Sequence, residues 1–422
     1  MSKIKSITAR EILNSKGIPT VEAIVTLSNG VVASASVPGR TSVGGFEAAE
    51  ITDGDPQRFN GKGVKKVVSN VVDIISPKLI GLESDKQQEI DRIMIELDGT
   101  QNKSRLGVNS ILPVSMAIAK ASARNYLLPL FAYLKEHINK QNLALKIPTP
   151  CFNIFNGGRI AGGNLDFQSF LLIPATSKGY PEALQIGVNT YSLIKSALEF
   201  KNLPTLIGDE GGFGPSLPSN EDGFNILKQT IENTSLRLGF DVFLGLDASA
   251  NNFYSEKKYK IKDSVMQLTT QDLIDYYSQL DKKFRILYLE DPLYEEDWDG
   301  WAELSEKISQ NTIIVGDHLT STNPFRLQTA LDKKAISGIV IKPSQVGTVM
   351  ESLAVIEVAR QAGLKIIVSS TSAETTDDFI ADFSVAVSAD YVKFGAPSRG
   401  ENVSKYNRLL AINDEIKNLK ST

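Results

Sequence analysis

Histidine and cysteine are almost absent from this 422-residue chain, which contains two histidines and one cysteine. Cys151 therefore has no partner for an internal disulfide, and this usage fits a reducing compartment. His137 lies in the charged stretch AYLKEHINK and is predicted to be a solvated surface residue, which leaves His318. The chain thus has almost no residues from which a Ser-His-Asp or Cys-His catalytic arrangement could be built. Because H-E-x-x-H, paired C-x-x-C, Walker and G-x-G-x-x-G motifs are also missing, the sequence favours carboxylate and lysine chemistry.

Positive charge in excess and long apolar runs are missing as well. The formal net charge is -4 and the pI is about 5.5, so no basic surface for nucleic acid or anionic lipid is predicted. No apolar run approaches the roughly 18 residues that a membrane helix needs. The amino terminus, MSKIKSITAREIL, lacks the apolar segment of a signal peptide. We expect a cytoplasmic protein with no nucleic-acid partner and no membrane partner.

Two domains are expected from the length and from a change of pattern along the chain. Residues 3–37 read as three β-segments with an Asn-Gly turn at residues 29–30, and residues 56–134 read as helical. This order predicts an α+β domain over residues 1–134. The polar stretch KEHINKQNLALK marks a boundary, and a second domain is predicted over residues 140–422.

The second domain alternates short apolar strands with amphipathic helices in six consecutive βα units, from VFLGLD to the unit that begins YVKFG. Apolar strands that are buried on both faces are typical of a parallel sheet. With PTPCFNIF and DFQSFLLIP in front of them, the strand count reaches eight. We therefore predict an α/β fold with an eight-stranded βα barrel of the TIM type. An open, doubly wound sheet is the alternative, but no phosphate-binding fingerprint follows a strand.

The carboxyl ends of the barrel strands are where an active site is expected. Six strand ends can be assigned, at Asp247, Glu290, Asp317, Lys342, Ser370 and Lys393, and all of them except Ser370 carry a charge. A single charge at a strand end would only meet solvent. Five that converge on one barrel mouth must pair with one another or with a ligand, since like charges repel. We interpret this mouth as the candidate active site.

Three of these residues, Asp247, Glu290 and Asp317, are carboxylates on consecutive strands. Oxygen donors without cysteine or histidine favour a hard cation, and Mg²⁺ is the natural candidate. His318 follows Asp317 directly, and alternation along a strand would aim it away from Asp317. Beside bound cations the ammonium form of Lys342 would be disfavoured, which lowers its pKa toward that of a general base. Carboxylate-held Mg²⁺ beside a lysine base is suited to removing a proton next to a carboxylate.

Nine segments that span the chain nearly from end to end carry a likeness to a known family. They are AREILNSKGIPTVEA, DGTQNKSRLG, NIFNGG, GDEGGFGP, GLDAS, EDPLYEEDW, GDHLTSTNP, IKPSQVGT and KFGAPSRGEN. Together they resemble enolase. The resemblance implies an enolase-type βα barrel capped by an amino-terminal α+β domain, a homodimer or an octamer, and Mg²⁺ with a second ion beside the first. The reaction implied is loss of the α-proton of 2-phosphoglycerate and elimination to phosphoenolpyruvate.

The resemblance also implies the ligands of the metals. Asp247, Glu290 and Asp317 resemble the residues that bind the first ion. Ser42 stands where a serine on a mobile loop binds the second ion.

Three further residues carry catalytic or binding roles by the same resemblance. Lys342 resembles the base that takes the α-proton. Glu210, in GDEGG, resembles the acid on the side of the leaving hydroxyl. Lys393 looks like the residue that holds the substrate carboxylate together with the metals.

Several positions depart from the family pattern, and they cluster on the phosphate and hydroxyl side. The family strand end V-S-H-R-S-G-E reads VSSTSAE at residues 368–374, so Ser370 replaces a histidine and Thr371 replaces the arginine that grips the phosphate. Ile160 replaces a second histidine, and Ser169 replaces the glutamate of the family's Q-E-F. The loss of an arginine fork removes roughly 3–6 kcal/mol, or roughly 10²–10⁴ in transition-state binding.

The altered positions predict a rebuilt substrate contact. Arg40 and Arg159 are new charges on loops that are expected to close over the substrate, although both could equally be solvated. Together with Lys393, the candidate substrate-binding residues are Ser370, Thr371, Ser372, Arg159, Arg40 and Gln168.

Three functions are compatible with this pattern. The first is a Mg²⁺-dependent carbon–oxygen lyase whose small carboxylate substrate, phosphorylated or phosphonate-bearing, differs from the usual one. The second is an ordinary glycolytic enolase in which Arg40 and Arg159 replace the lost contacts, and the third is a catalytically silent binding or scaffold protein. Because the metal and base positions are intact while the phosphate side is changed, the first is favoured; undirected decay would strike both sides.

Overall fold

A computed structural model describes residues 2–39, 45–138 and 145–421 of the chain. The amino-terminal part begins with a three-stranded antiparallel sheet in the order β1-β2-β3. Its strands are β1 (Ile4–Leu13), β2 (Pro19–Leu27) and β3 (Val32–Ser36). The predicted turn lies between β2 and β3, where Gly30 has a φ of 88° that glycine adopts readily. The three segments predicted for residues 3–37 are therefore found as strands.

A nine-stranded sheet follows, in the order β4-β14-β13-β12-β11-β10-β7-β6-β5, beside a small β8-β9 hairpin. The strands are β4 (Thr149–Pro150), β5 (Phe152–Asn156), β6 (Ser169–Pro174), β7 (Val242–Asp247), β8 (Tyr254–Ser255), β9 (Lys258–Tyr259), β10 (Ile286–Glu290), β11 (Ile313–Gly316), β12 (Gly338–Ile341), β13 (Lys365–Ser369) and β14 (Tyr391–Lys393). The two outer strands of this sheet, β4 and β5, are consecutive pieces of one extended stretch. That stretch pairs with β14 at one end and with β6 at the other, so the sheet closes into an eight-stranded barrel.

One barrel strand runs against the prediction of a parallel sheet. β6 is antiparallel to both β5 and β7, whereas β7 and β10 to β14 pair in parallel. The reason is the connection, because residues 157–168 between β5 and β6 contain only a single 3₁₀ turn. A parallel neighbour needs a crossover, usually a helix, and this segment provides none.

Helices cover the outside of the barrel and one face of the amino-terminal sheet. They are α1 (Lys65–Ser69), α2 (Ser76–Leu79), α3 (Gln87–Asp98), α4 (Val108–Asn125), α5 (Leu130–Glu136), α6 (Tyr180–Phe200), α7 (Asn220–Glu232), α8 (Thr270–Phe284), α9 (Trp298–Ile308), α10 (Pro324–Asp332), α11 (Pro343–Val346), α12 (Val349–Gln361), α13 (Phe379–Ala386) and α14 (Gly400–Ser421). A π-helical segment, Asn70–Ile75, joins α1 to α2. Among the described residues, no helix combines the length and apolar character that a membrane crossing requires.

The amino-terminal part covers the mouth of the barrel. Helix α4 is buried over most of its length, since β2 and β3 pack on it and α11, which follows a barrel strand, contacts it as well. Two backbone hydrogen bonds fix the same contact: Ala48 N–H to Gln345 O at 2.8 Å, and Ser15 N–H to Glu374 O at 2.8 Å. The division into domains at residues 1–134 and 140–422 stays a prediction, and residues 139–144 lie outside the described part.

Candidate active site

The charged strand ends predicted from the sequence lie side by side at the barrel mouth. Asp247 at the end of β7 stands opposite Glu290 at the end of β10. Asp317 and Lys342 directly follow β11 and β12, and Lys393 ends β14. The three carboxylates are at most 3% exposed, so their charges lie in a medium that screens them poorly.

The ammonium group of Lys393 bridges two of these carboxylates. Its Nζ donates to Asp247 Oδ2 at 2.9 Å and to Glu290 Oε1 at 2.6 Å. Burial alone would lower the pKa of Lys393, but the charges of Asp247 and Glu290 raise it well above its usual value. Burial and then the charge of Asp247 raise the pKa of Glu290 to about 8. Buried carboxylates at this density therefore need a cation among them, and Lys393 supplies one positive charge.

Lys342 faces the third carboxylate. Its Nζ donates to Asp317 Oδ2, and this ion pair is almost fully buried. Burial alone would lower the pKa of Lys342, but the charges of Asp317 and Glu290, together with the hydrogen bond to Asp317, raise it above its usual value. The lowered pKa expected from the sequence depends on bound cations and stays a prediction. The structure does show the amine directed at the carboxylate cluster rather than away from it.

Asp291 braces the end of β11 from the neighbouring strand. Its Oδ1 accepts the Asp317 backbone N–H at 3.0 Å, and its Oδ2 accepts the His318 N–H at 2.8 Å and lies 2.8 Å from His318 Nδ1. Asp291 has a φ of 43°, a left-handed conformation that strains a non-glycine residue and is common at functional sites. Burial alone would lower the pKa of His318, but the hydrogen bond to Asp291 and the charges of Asp317 and Asp291 together raise it to about 10.

His318 does not lie as far from Asp317 as strand alternation predicts. Because β11 ends at Gly316, the alternation no longer applies to residues 317 and 318. One ligand atom each of Asp291, Asp317 and His318 lies within 4.8 Å of the others. Since both oxygens of Asp291 already accept hydrogen bonds, its evident part is to hold the Asp317 backbone in place.

The donor set at the mouth suits a hard divalent cation. Asp247, Glu290 and Asp317 offer only oxygen atoms, which are the ligands that Mg²⁺ prefers. Within the described residues the ligand atoms of these three carboxylates do not all lie within 4.8 Å of one another, and Lys393 Nζ lies between Asp247 and Glu290. The residues thus fit Mg²⁺ by the chemistry of their donor atoms, and the ion would compete with the Lys393 ammonium for the same oxygens.

Glu210 lies on the connection between α6 and α7 and reaches the mouth from the opposite side. Its Oε2 accepts a hydrogen bond from Asn153 Nδ2 at 2.7 Å and one from Ser169 Oγ at 3.4 Å. Asn153 Nδ2 also donates to Ser169 Oγ at 2.9 Å. Burial is the main cause that raises the pKa of Glu210, and a raised pKa favours the protonated acid.

The Glu210 connection is held by a glycine that leaves no room for a side chain. The Gly212 N–H donates to Asn156 Oδ1 at 3.0 Å. A Cβ atom at residue 212 would lie only 2.9 Å from Asn153 Oδ1. The close approach of this backbone to β5 therefore keeps Glu210 beside Asn153.

The hydroxyl-bearing segment after β13 forms another wall of the site. The Ser370 N–H donates to Lys393 O at 3.1 Å, and the Thr371 N–H donates to Glu374 Oε1 at 3.1 Å. The hydroxyl of Thr371 is buried and, among the described residues, has no hydrogen-bond partner, which leaves it available to a ligand. A cavity of about 50 Å³ brings the predicted residues together, with Ile160 among its lining: Glu210, Lys342, Lys393, Gln168, Ser370, Thr371 and Ser372.

The remaining predicted residues differ in their placement. Gln168 Nε2 donates to Asp247 Oδ2 at 3.1 Å, so it belongs to the cluster. Arg159 is exposed and is not among the residues that line the cavity, so the structure does not bring it to the others. Arg40 and Ser42 fall on residues 40–44, outside the described part of the chain.

Several side chains that contact the predicted site residues were not predicted from the sequence. Gln345 is buried, and its Nε2 donates to Asp317 Oδ1 at 3.0 Å and to Glu47 Oε1 at 3.2 Å. Gln345, Asn153 and Asp291 each lie within a segment that carries the family likeness, IKPSQVGT, NIFNGG or EDPLYEEDW. A polar residue in an otherwise apolar strand or first helical turn was the signal that could have identified them.

Comparison with known proteins agrees with this architecture. An eight-stranded barrel with a carboxylate and lysine mouth, capped by an α+β part, defines the class of capped βα-barrel proteins. The family model described as "Enolase, C-terminal TIM barrel domain" matches residues 144–421, and "Enolase, N-terminal domain" matches residues 4–134. The chain is 44% identical over 416 residues to a protein named enolase from Acidothermus cellulolyticus, which covers 99% of this chain and 95% of that protein. The chain belongs to the enolase family.

Proposed function

We propose that this protein is a Mg²⁺-dependent carbon–oxygen lyase of the phosphopyruvate hydratase type. It removes the proton α to a carboxylate and then eliminates a leaving group from the neighbouring carbon. The observation that carries the proposal is the mouth itself, where Lys342 and Lys393 pair with three buried carboxylates while Glu210 faces the same cavity. Family membership supports the reaction class.

Lys342 is the proposed base. Its Nζ lies against Asp317 and lines the cavity, so it reaches both the carboxylate cluster and the place where a substrate would lie. To accept a proton it must first be neutral. Mg²⁺ held by Asp247, Glu290 and Asp317 would disfavour the ammonium form of Lys342 and would stabilise negative charge that develops on the substrate carboxylate.

Lys393 and Gln168 are proposed to receive the substrate carboxylate. Both already donate to Asp247 Oδ2, at 2.9 Å and 3.1 Å, so their donors converge on one point of the mouth. An anionic oxygen at that point would replace the Asp247 contact with an equivalent charge-assisted hydrogen bond.

Glu210 is the proposed acid that protonates the leaving group. Its pKa is raised by burial, and Asn153 holds its Oε2 at 2.7 Å, so it can keep a proton and present it in a fixed direction. Ser169 stands beside it as a neutral group. No second carboxylate at position 169 therefore shares the proton of Glu210.

The distal end of the substrate is proposed to differ from that of the usual phosphorylated substrate. Within the described residues no arginine lines the cavity, and the wall expected to hold the distal group carries Ser370, Thr371 and Ser372. A hydroxyl contributes less to binding a dianion than an arginine fork does. A carboxylate with a distal phosphate or phosphonate held through hydroxyl groups fits this wall. The 44% identity to a named enolase supports the second candidate, ordinary turnover of 2-phosphoglycerate.

A side-by-side assay separates these candidates. Purified protein and the Acidothermus cellulolyticus enolase are given Mg²⁺ and 2-phosphoglycerate, and the absorbance of phosphoenolpyruvate is followed. A turnover rate within about tenfold of that of the relative would rule out the hypothesis of an altered substrate, whereas a rate lower by about 10² or more supports it. Lys342→Met is the control for residual chemistry.

The third candidate, a silent binding or scaffold protein, makes a different prediction. It requires that no hydroxycarboxylate is turned over and that Lys342→Met leaves cellular phenotypes unchanged. By resemblance to the family, we further expect a cytoplasmic homodimer or octamer, which gel filtration with light scattering would test.

A further inference from the structure

One tyrosine, Tyr288, contacts the carboxylate cluster from the interior of the barrel. Tyr288 lies on β10 two residues before Glu290, so both side chains leave the strand on the same face, into the barrel. Its ring is fully buried and packs in an apolar cluster with Leu171, Val315 and Ile367. The hydroxyl at the end of this ring donates a hydrogen bond to Glu290 Oε2.

The two oxygens of Glu290 therefore have different partners. Oε2 accepts from Tyr288 on the interior side, and Oε1 accepts from Lys393 Nζ at 2.6 Å on the side of the cavity. Glu290 has no exposed surface, so water does not replace either donor. A buried carboxylate oxygen without a donor is costly, and a buried phenol without an acceptor is costly too. The contact thus satisfies both groups and fixes the orientation of the carboxylate.

We propose that Tyr288 is a positioning residue that holds Glu290 with Oε1 toward the cavity, so that Glu290 binds a divalent cation through that one oxygen. The inference rests on the proposed role of Glu290 as a Mg²⁺ ligand. The terminal torsion of a glutamate is broad, and a free carboxylate can turn either oxygen or both toward an ion. A hydrogen bond to one oxygen removes that freedom, as outer partners do for metal ligands generally.

Tyr391 provides a matched control in the same apolar cluster. It is 5% exposed, belongs to the cluster that contains Tyr288, and no hydrogen bond of its hydroxyl is found among the described residues. Tyr391→Phe therefore removes a phenol oxygen from a tyrosine of the same apolar cluster without changing any contact of Glu290. Tyr288→Phe also removes a phenol oxygen, but it leaves Glu290 Oε2 without its hydrogen-bond donor.

The test is Mg²⁺ affinity, measured on the full chain by the rise of Tm with Mg²⁺ and by electron paramagnetic resonance titration with Mn²⁺. We expect Tyr288→Phe to bind about 10- to 100-fold more weakly than wild type, or about 1.4–2.7 kcal/mol. Tyr391→Phe should bind like wild type. Equal affinity of Tyr288→Phe and wild type would overturn the proposal.

A double-mutant cycle keeps the proposal testable if Tyr288→Phe is less stable. If Tyr288 acts through Glu290, adding Tyr288→Phe to Glu290→Gln should cause no further loss of Mn²⁺ affinity. A full further loss would mean that the hydroxyl has only a structural role, and the proposal would fail. A wild-type protein that binds neither ion would refute the proposed function itself, whereas normal binding by wild type and Tyr288→Phe alike would refute the inference alone.

Discussion

Replacing Lys393 with methionine tests whether the Lys393 ammonium group and a divalent cation compete for the same carboxylates. Lys393→Met keeps the apolar stem and removes the ammonium group that bridges Asp247 and Glu290. Without a divalent ion, both buried carboxylates then lose their shared donor. With Mg²⁺ present, the ion no longer competes with an ammonium for the same oxygens. The variant should therefore be less stable than wild type in chelator and should gain more from Mg²⁺.

The size of the effect follows from the burial of the pair. Removing one partner of a buried ion pair typically costs about 3–5 kcal/mol, because the remaining charge has no compensation. The raised pKa of Glu290, about 8, moderates this cost, since the residue can take up a proton. With an unfolding entropy of about 2.1 cal/mol/K per residue over 422 residues, the expected fall in Tm is about 3–6 °C if the chain unfolds as a unit.

Differential scanning calorimetry in chelator and in excess Mg²⁺ provides the assay. Lys405→Met is the control, because Lys405 is also buried and pairs with Glu374 Oε2 at 3.3 Å, away from Asp247, Glu290 and Asp317. It should lose stability in both buffers and show the same Mg²⁺ shift as wild type. If Mg²⁺ raises the Tm of Lys393→Met and of wild type equally, the Lys393 ammonium group and Mg²⁺ do not compete for the same carboxylates, and the reasoning is wrong.

Three further variants test one buried acid of helix α3 and the surroundings of Glu210. Burial raises the pKa of Asp91 to about 7, so between about pH 4 and 7 the folded protein keeps a proton that the unfolded chain has released. The free energy of unfolding should therefore fall as the pH rises through this range. Asp91→Asn should flatten this pH dependence, as measured by urea unfolding. Asn153→Ala removes the donor to Glu210 and should lower kcat about 10- to 100-fold. Gly212→Ala forces a Cβ against Asn153 and should lower kcat similarly, and unchanged kcat in either variant would contradict the role of this contact.

The barrel and most of its mouth could be predicted because local rules decide them. Buried strands followed by amphipathic helices leave few alternatives to a parallel barrel, and the carboxyl ends of such strands meet at one rim. Asp247, Glu290, Asp317, Lys342 and Lys393 were placed there by this rule alone. The direction of β6 was not predictable in the same way, since it depends on a connection that has no helix.

Contacts between residues far apart in the chain could not be read from the sequence. Asn153 and Glu210 meet because a glycine-rich connection folds back onto β5, and no periodicity reports such a return. Alternation also fails where a strand ends, which is why His318 lies nearer to Asp317 than expected. The role of Tyr288 could not be predicted, because the sequence does not show whether the hydroxyl of a strand tyrosine has an acceptor.

Exchange of the α-proton with solvent is the step that most directly requires a lysine base beside carboxylate-held Mg²⁺. 2-Phosphoglycerate is incubated in D₂O with wild type or Lys342→Met, with and without Mg²⁺, and loss of the C2 proton signal is followed by NMR. Wild type should exchange this proton only with Mg²⁺, and Lys342→Met should not exchange it. Exchange that persists in Lys342→Met, or that proceeds equally in chelator, would contradict the mechanism.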